Sequence, residues 1–552
     1  MGYLMPYLIL SSVEYTGYIS IIKFIAFLIL FLLWLPLVGW VYTDAKMVGT
    51  RNVFWTAVVL AAGAVSIIIW LFVPVFIIGV LLYIFAVTAT SLSYVRHRNS
   101  RVMDYARVLT AEHLKSLLVS KDKKLDALKG LVFITANNNE VPLPQSQTPD
   151  FFGYKAVYEL LTDAVWRRAS DIIFMPASQS YNVTYYVDGA ALKQPVIARD
   201  QMEYNIHFLK NLADLDTKEK RKPQKGKFKI RTDKDDTQWE VTTAGSTAGE
   251  QVRIKQIIKQ TITRLPEIGL MPEQLEQLNQ IRNLKQGLFI VSGPAKSGVT
   301  TTLYALLRNH DAFINSINTL ERRPSADLPN ITQNIFALSD TGTQTYAKKL
   351  QEVVRMGPDI VGAADCQDIE TAQTACKAAK DGKIIYVTLN ADSVVQAAAK
   401  WIKLVGNRNL AAEQLIGISN QRLIRILCDE CKQAYAPNKE MLRKFNITPD
   451  RVKAFYRTGK VVIGKRGKEV TCDKCQGTGY VGRTGVFEII MMNDQLRNTI
   501  IKSKSLTEID SKFRATKMLY LQEQALRKVI NGTTDINEMI RVLSPDKKPK
   551  EK

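Results

Sequence analysis

Two hydrophobic regimes divide the chain. Up to Leu92 apolar residues run almost unbroken over helix lengths; beyond Phe151 they alternate or recur in short groups set off by glycine, proline and charge. From Ile21 to Val41 the only charge is Lys23, and from Val53 to Leu92 there is none. A helix of about twenty residues, at roughly 1.5 Å per residue, crosses a hydrocarbon core of about 30 Å. The pattern therefore predicts an anchor over residues 1–95 with three membrane spans, 21–41, 53–72 and 74–92, and a turn at Pro74. A single long tilted helix in place of the last two spans is the alternative. The first run is too long, and lacks the small-residue cleavage pattern, for a removed signal peptide. Three spans place the loop carrying Lys46 and Arg51 on the same side as Arg96, Arg98 and Arg101. The positive-inside rule makes that side the cytoplasm and leaves the stretch around Glu14 outside. Trp34, Trp40, Trp55 and Trp70 are expected near span ends, where indoles gather.

Residues 96–150 read as a basic linker. From Arg101 to Gly130 a helical pattern carries Leu109, Leu117, Leu118, Leu125 and Leu128, suited to the inner leaflet or to a plain connecting helix. Asn137–Asp150 has the composition of a domain boundary. A small α+β domain is expected over 151–262, with helices at Tyr154–Ala169 and between Asp200 and Leu215. Its strands are expected at Asp171–Met175, Tyr181–Val187, Lys227–Arg231, Trp239–Thr243 and Gln251–Ile257. Over 263–543 an α/β domain follows, with a helix at Pro272–Ile281 feeding a strand at Leu288–Val291. The basic tail 544–552 is expected to be disordered.

Between that strand and a helix beginning near Thr300 lies a glycine loop, Gly293-Pro294-Ala295-Lys296-Ser297-Gly298-Val299-Thr300. It meets the phosphate-cradling pattern G-x-x-x-x-G-K-[ST] except at Val299, where lysine is required. Gly293, Ser297 and Gly298 keep the anion nest, Thr300 keeps the hydroxyl that would ligate Mg²⁺, and Thr301 opens the helix behind it. Loss of the lysine should harm turnover more than binding, because phosphoryl transfer depends on positioned charge. Lys296 reaches the phosphates only if it curls back from the other side of the loop; a solvated loop lysine is the plainer reading.

Six cysteines change the picture further. Cys428 with Cys431, and Cys472 with Cys475, form two C-x-x-C pairs within a stretch of about 425–485. Four thiolates at that spacing suit a closed, structural Zn²⁺ and imply a reducing compartment. The first pair is expected to follow a helical segment; Cys366 and Cys376 read as packed side chains. The net charge of +22 fits an anionic membrane surface, given the apolar N-terminal region. Aromatic residues are sparse around the basic run Lys218–Lys229, which argues against nucleic acid.

With these features in view, the chain resembles the ATPases of type II secretion and type IV pilus assembly. Ordered markers carry the likeness: ASDI at Ala169–Ile172, VDG at Val187–Gly189, Gly249-Glu250, the glycine loop, PDI at Pro358–Ile360, Thr388-Leu389, QRL at Gln421–Leu423, the paired cysteines and Thr478–Glu488. The resemblance implies a RecA-like α/β P-loop domain preceded by a small α+β domain. It also implies a hexameric ring on the cytoplasmic face of the bacterial inner membrane, using ATP with Mg²⁺ to drive a membrane platform protein. A membrane anchor departs from the family's usual soluble form.

The resemblance also assigns roles, and here several positions differ. Asp365 stands where the family has the glutamate that polarises water, followed by Gln367 in place of arginine. Glu321 keeps its acidic box, but Arg322 and Arg323 replace acid and proline. Of two arginines expected upstream, one is Gln351 and Arg355 remains; the family's histidine is Asn390. The family's basic strand-turn holds Lys225 and Lys227, which lack the planar fork of arginine. These substitutions leave three functions open: a nucleotide-binding ring subunit with weak or absent hydrolysis, a working motor using Lys296 and Asp365, and a nucleotide-free scaffold. The ring could be a homo-hexamer or one mixed with an intact relative.

Overall fold

Three apolar helices come first: α1 (Ile21–Met47), α2 (Asn52–Phe72) and α3 (Phe76–Asn99). Each is long and apolar enough to cross a membrane. The computed structural model describes residues 21–48, 50–73, 75–100, 108–109, 130–144, 148–232, 236–257, 262–337, 344–448, 452, 454–463, 469–503 and 505–544. Residues 1–20, Pro74, most of the basic stretch Arg101–Gly130 and the tail from Pro545 lie outside them.

The carboxyl ends of α1 and α3 meet. Asp44 Oδ2 accepts from Arg98 Nε at 2.7 Å and from the Tyr94 hydroxyl at 2.6 Å. Trp40 and Trp55 pack edge-on against Tyr94 at the same end. One indole departs from its expected place: Trp34 lies in mid-bundle, buried, with its Nε1 toward the Val59 carbonyl at 3.4 Å. Gly63 makes the room, since a Cβ there would collide with the ring.

A first sheet follows, antiparallel throughout. Its strands are β1 (Leu131–Ile134), β2 (Ala169–Pro176), β3 (Ser180–Val187), β4 (Ala190–Lys193), β5 (Ile197–Ala198), β6 (Gln224–Thr232), β7 (Asp236–Ser246) and β8 (Gly249–Ile257). They pair in the order β1-β6-β7-β8-β2-β3-β4, with β5 on β3. Burial alternates along β3 and β7, as expected of a sheet with one covered face. The helices Pro149–Trp166 and Arg199–Leu212 cover it, supplying Tyr154, Leu161, Met202 and Leu209 to its core. Thr148 caps the first of these by accepting from Phe151 N, with Pro149 at the first turn. The boundary expected at residue 151 is corrected here: Leu131–Ile134 already pairs with Thr232–Lys229, so the sheet begins some twenty residues earlier. Four apolar residues between a basic run read as helical and a polar loop are too few to announce a strand; only the partner edge of β6 selects them.

The second sheet holds β9 (Gly287–Ser292), β10 (Ile317–Glu321), β11 (Thr332–Ile335), β12 (Ile360–Ala363), β13 (Ile384–Leu389), β14 (Leu415–Leu427) and β19 (Tyr480–Met491). Between β14 and β19 lie two small hairpins, β15 (Gln433–Tyr435) with β16 (Phe455–Arg457) and β17 (Val461–Ile463) with β18 (Glu469–Thr471). The main order is β11-β10-β12-β13-β9-β14-β19, parallel except for the antiparallel pair β14 and β19. Every residue of β9, β10 and β12 is buried, the pattern of parallel strands covered on both faces. The cysteine pair Cys428/Cys431 follows β14, not a helix: alternating Ile, Leu and Arg in 422–427 pairs with β19, and that pairing decides against the helical reading.

Candidate nucleotide site and cysteine cluster

In a parallel sheet, ligands gather at the carboxyl ends of the strands. Four loops meet that edge: the glycine loop after β9, Arg322 after β10, Asp365 after β12 and Asn390 after β13. β13 lies between the loop strand and the strand that carries Asp365.

The loop is held tightly. Gly298, at φ 88°, caps the helix Val299–Leu307, a backbone geometry that favours glycine. A Cβ at Gly293 would collide with Ser297 Oγ and sit 2.9 Å from the Gln421 carbonyl. Gln421 Nε2 donates to the Ser297 carbonyl at 2.9 Å, and Asn420 Nδ2 joins Ser292 Oγ and the Ala391 carbonyl. Residue pattern drew attention to Gln421 only within QRL and passed over Asn420; nothing in their spacing from the loop signals the contact. Ser297 Oγ is buried and, among the described residues, has no hydrogen-bond partner. A phosphate oxygen would satisfy that orphan, so the loop fits an anionic ligand. Thr300 and Thr301 stand half-buried in the first turn behind it.

The side chains that should do chemistry are placed otherwise. Val299 packs beneath the loop, its Cγ2 3.2 Å from the Cβ position of Gly293. Lys296 is exposed and left-handed at φ 66°, with its Nζ 5.4 Å from the centre of the Tyr186 ring on β3. Asp365 is ion-paired with Arg322 Nε. Glu321 is buried, and its carboxylate accepts from the Tyr304 hydroxyl at 2.5 Å, Thr319 Oγ1 at 2.8 Å and Gln333 Nε2 at 3.2 Å. It braces the loop's own helix against β10. Arg355 ends the helix Tyr346–Arg355 and precedes β12, whereas Asp365 follows it. The length of the strand, roughly 13 Å for four residues, separates the two edges, so the chain does not bring Arg355 to Asp365. Asn390 is exposed, its carbonyl accepting from Lys400 Nζ. Lys225 pairs with Glu240 at 2.8 Å on neighbouring strands. Burial raises the Glu488 carboxyl above its ordinary range while it accepts from Val394 N.

The four paired cysteines converge. All four are buried and their sulfurs lie within 4.8 Å of one another, Cys428 to Cys472 at 3.8 Å and Cys431 to Cys475 at 3.5 Å. Sulfurs about 2.3 Å from a tetrahedral ion stand about 3.8 Å apart, so the donor set fits such a metal. Gly479 N donates to Cys475 Sγ, a bond suited to a thiolate. Cys366 and Cys376 sit apart in the apolar core, where burial pushes each thiol up to about 12.

The profile of the family described as Type II/IV secretion system protein matches residues 150–541. The chain belongs to that family. It is 31% identical over 391 residues to the type II secretion system protein HxcR of Pseudomonas aeruginosa, covering 70% of this chain and 76% of that one. It is 28% identical over 403 residues to the type IV pilus assembly ATPase PilB of Thermus thermophilus, covering 73% of this chain and 44% of that one. The type II secretion system ATPase E of Vibrio cholerae is 29% identical over 391 residues, with 70% and 75% covered. Among solved structures, the ATPase DotB of Legionella pneumophila superposes with a TM-score of 0.48 at 15% identity, over 72% of this chain and 96% of that one. The second sheet is the RecA-like α/β P-loop fold of that family, and in this chain the α+β domain and three apolar helices precede it.

Proposed function

We propose that this chain is a membrane-anchored ring subunit of a type II secretion or type IV pilus assembly machine, one that binds nucleotide with little or no hydrolysis. The observation that carries this reading is the glycine loop itself: its anion cradle is intact around Ser297, while the lysine position is Val299 and Lys296 is engaged with Tyr186. Without a positioned cation, charge developing on the transferred phosphoryl is unsupported, and losses within one such site act as a unit. α1 to α3 would anchor the chain in the bacterial inner membrane. Their length supports this, and so does the Asp44–Arg98 pair, which joins the ends of α1 and α3 that three spans put on one side. The ATPase-like domain would then lie in the cytoplasm, in a homo- or hetero-hexamer against a platform protein, with a structural Zn²⁺ on Cys428, Cys431, Cys472 and Cys475.

The test is nucleotide binding and steady-state ATP turnover by the full chain in lipid nanodiscs, alone and as Lys296→Ala. Binding with turnover at background in both proteins is the expected result. Turnover in the wild type that collapses in Lys296→Ala would establish a rewired motor, and absence of binding would leave a scaffold.

A further inference from the structure

The family's nucleotide comes with Mg²⁺, which would be ligated by the hydroxyl that Thr300 keeps and steadied through water by the acid at the end of β12. In this chain that acid does not fit the task. Asp365 is paired with Arg322, a residue of the loop after β10. The guanidinium is itself held: its centre lies 5.2 Å from the Phe336 ring and 5.9 Å from the Tyr346 ring, both buried. Tyr346 is fixed in turn by donating its hydroxyl to the Leu320 carbonyl at 2.6 Å. On the other side, the Asp365 carboxylate is only 14% exposed.

An exposed ion pair alone would be weak and easily exchanged. This one differs because the carboxylate is mostly desolvated, and the cation, though about half exposed, is planar, delocalised and placed over two buried aromatic rings. A divalent ion recruited to Asp365 would compete with that guanidinium for the carboxylate and face its positive charge.

We infer that this site binds its nucleotide without a divalent cation, Arg322 supplying the positive charge that neutralises Asp365. The inference rests on the reading that the glycine loop binds nucleotide. It has a corollary for the ligand: with neither a loop lysine nor a metal to receive it, the γ-phosphate gains no partner, and nucleoside diphosphate binds as well as triphosphate.

The experiment is titration of the full chain in nanodiscs with a fluorescent ADP analogue, in excess Mg²⁺ and in excess EDTA. For the wild type the two dissociation constants should agree within about threefold. In Arg322→Ala, where Asp365 is released, EDTA should weaken binding at least about tenfold, near 1.4 kcal/mol. Manganese binding in the presence of ADP, followed by paramagnetic resonance, gives a second readout: absent in the wild type, gained in Arg322→Ala. If that variant fails to fold, the wild type still decides. A tenfold loss in EDTA, or manganese bound at the wild-type site, would overturn the inference while leaving nucleotide binding in place. No binding in either buffer would instead overturn the nucleotide reading, and the inference with it.

Discussion

Lys296 Nζ stands over the face of Tyr186, 5.4 Å from the ring centre, and so joins the glycine loop to the sheet of the preceding domain. The contact ties a loop that normally serves a ligand to a neighbouring fold unit. A second interdomain contact runs nearby, where Arg168 donates to the Tyr480 carbonyl at 3.2 Å.

Replacing Lys296 with alanine should therefore cost about 0.5–1 kcal/mol, the worth of an exposed cation–π contact. Lys296→Gly should come out near zero, because relief of a left-handed backbone, about 1 kcal/mol, offsets the lost contact. Chemical denaturation of both variants, alone and combined with Tyr186→Leu, checks this. A full additive loss in the double variant would show that the two side chains do not interact.

Cys472→Ser should leave less than one metal ion per chain and lower the thermal midpoint, because the cluster ties the β15–β18 excursion to β14 and β19. Elemental analysis of the purified chain should find one zinc in the wild type. Cys376→Ser, in the apolar core, should keep the metal.

Glu538 joins the helix Ile536–Leu543, the last among the described residues, to β14. Burial would raise its carboxyl, but hydrogen bonds from Arg541 and Arg425 bring it down to about 2 from an ordinary 4.5. A depressed carboxyl stabilises the fold fully above the unfolded value and loses that contribution as pH falls through the folded one, here between 4.5 and 2. Glu538→Gln should cost about 3 kcal/mol at neutral pH by leaving Arg425 unpaired. In urea unfolding followed against pH, the gap between wild type and variant should close toward pH 2.

His310 titrates in a different window. Burial, with Arg282 nearby, lowers its imidazole from 6.5 to about 4, and it shares a 2.7 Å hydrogen bond with the Tyr386 hydroxyl. The folded state refuses a proton that the unfolded state accepts, so stability is held above 6.5 and declines between 6.5 and 4, by about 3 kcal/mol in all. His310→Gln should lack this decline. A wild type whose unfolding free energy stays level from pH 6.5 to 4 would contradict it.

Features written in consecutive residues were legible in the sequence. The three apolar runs, the glycine loop with Val299, the strand at Leu288–Val291 and the two C-x-x-C pairs each depend on neighbours within a few positions, where periodicity and motif spacing act. Their edges were not: α3 runs on to Asn99 because a helix continues past its last apolar residue while its hydrogen bonds remain unopposed.

What tertiary structure alone decided is pairing across distance. Leu131–Ile134 became a strand because β6 offered an edge, and Trp34 went inside because Gly63 faced it. Glu321 was spent on Tyr304, Thr319 and Gln333, while Asp365, after β12, met Arg322, which follows the adjacent strand β10. The sequence determined which side chains the site contains; their protonation, freedom and partners depend on burial and on charges tens of residues away, quantities that no local pattern encodes.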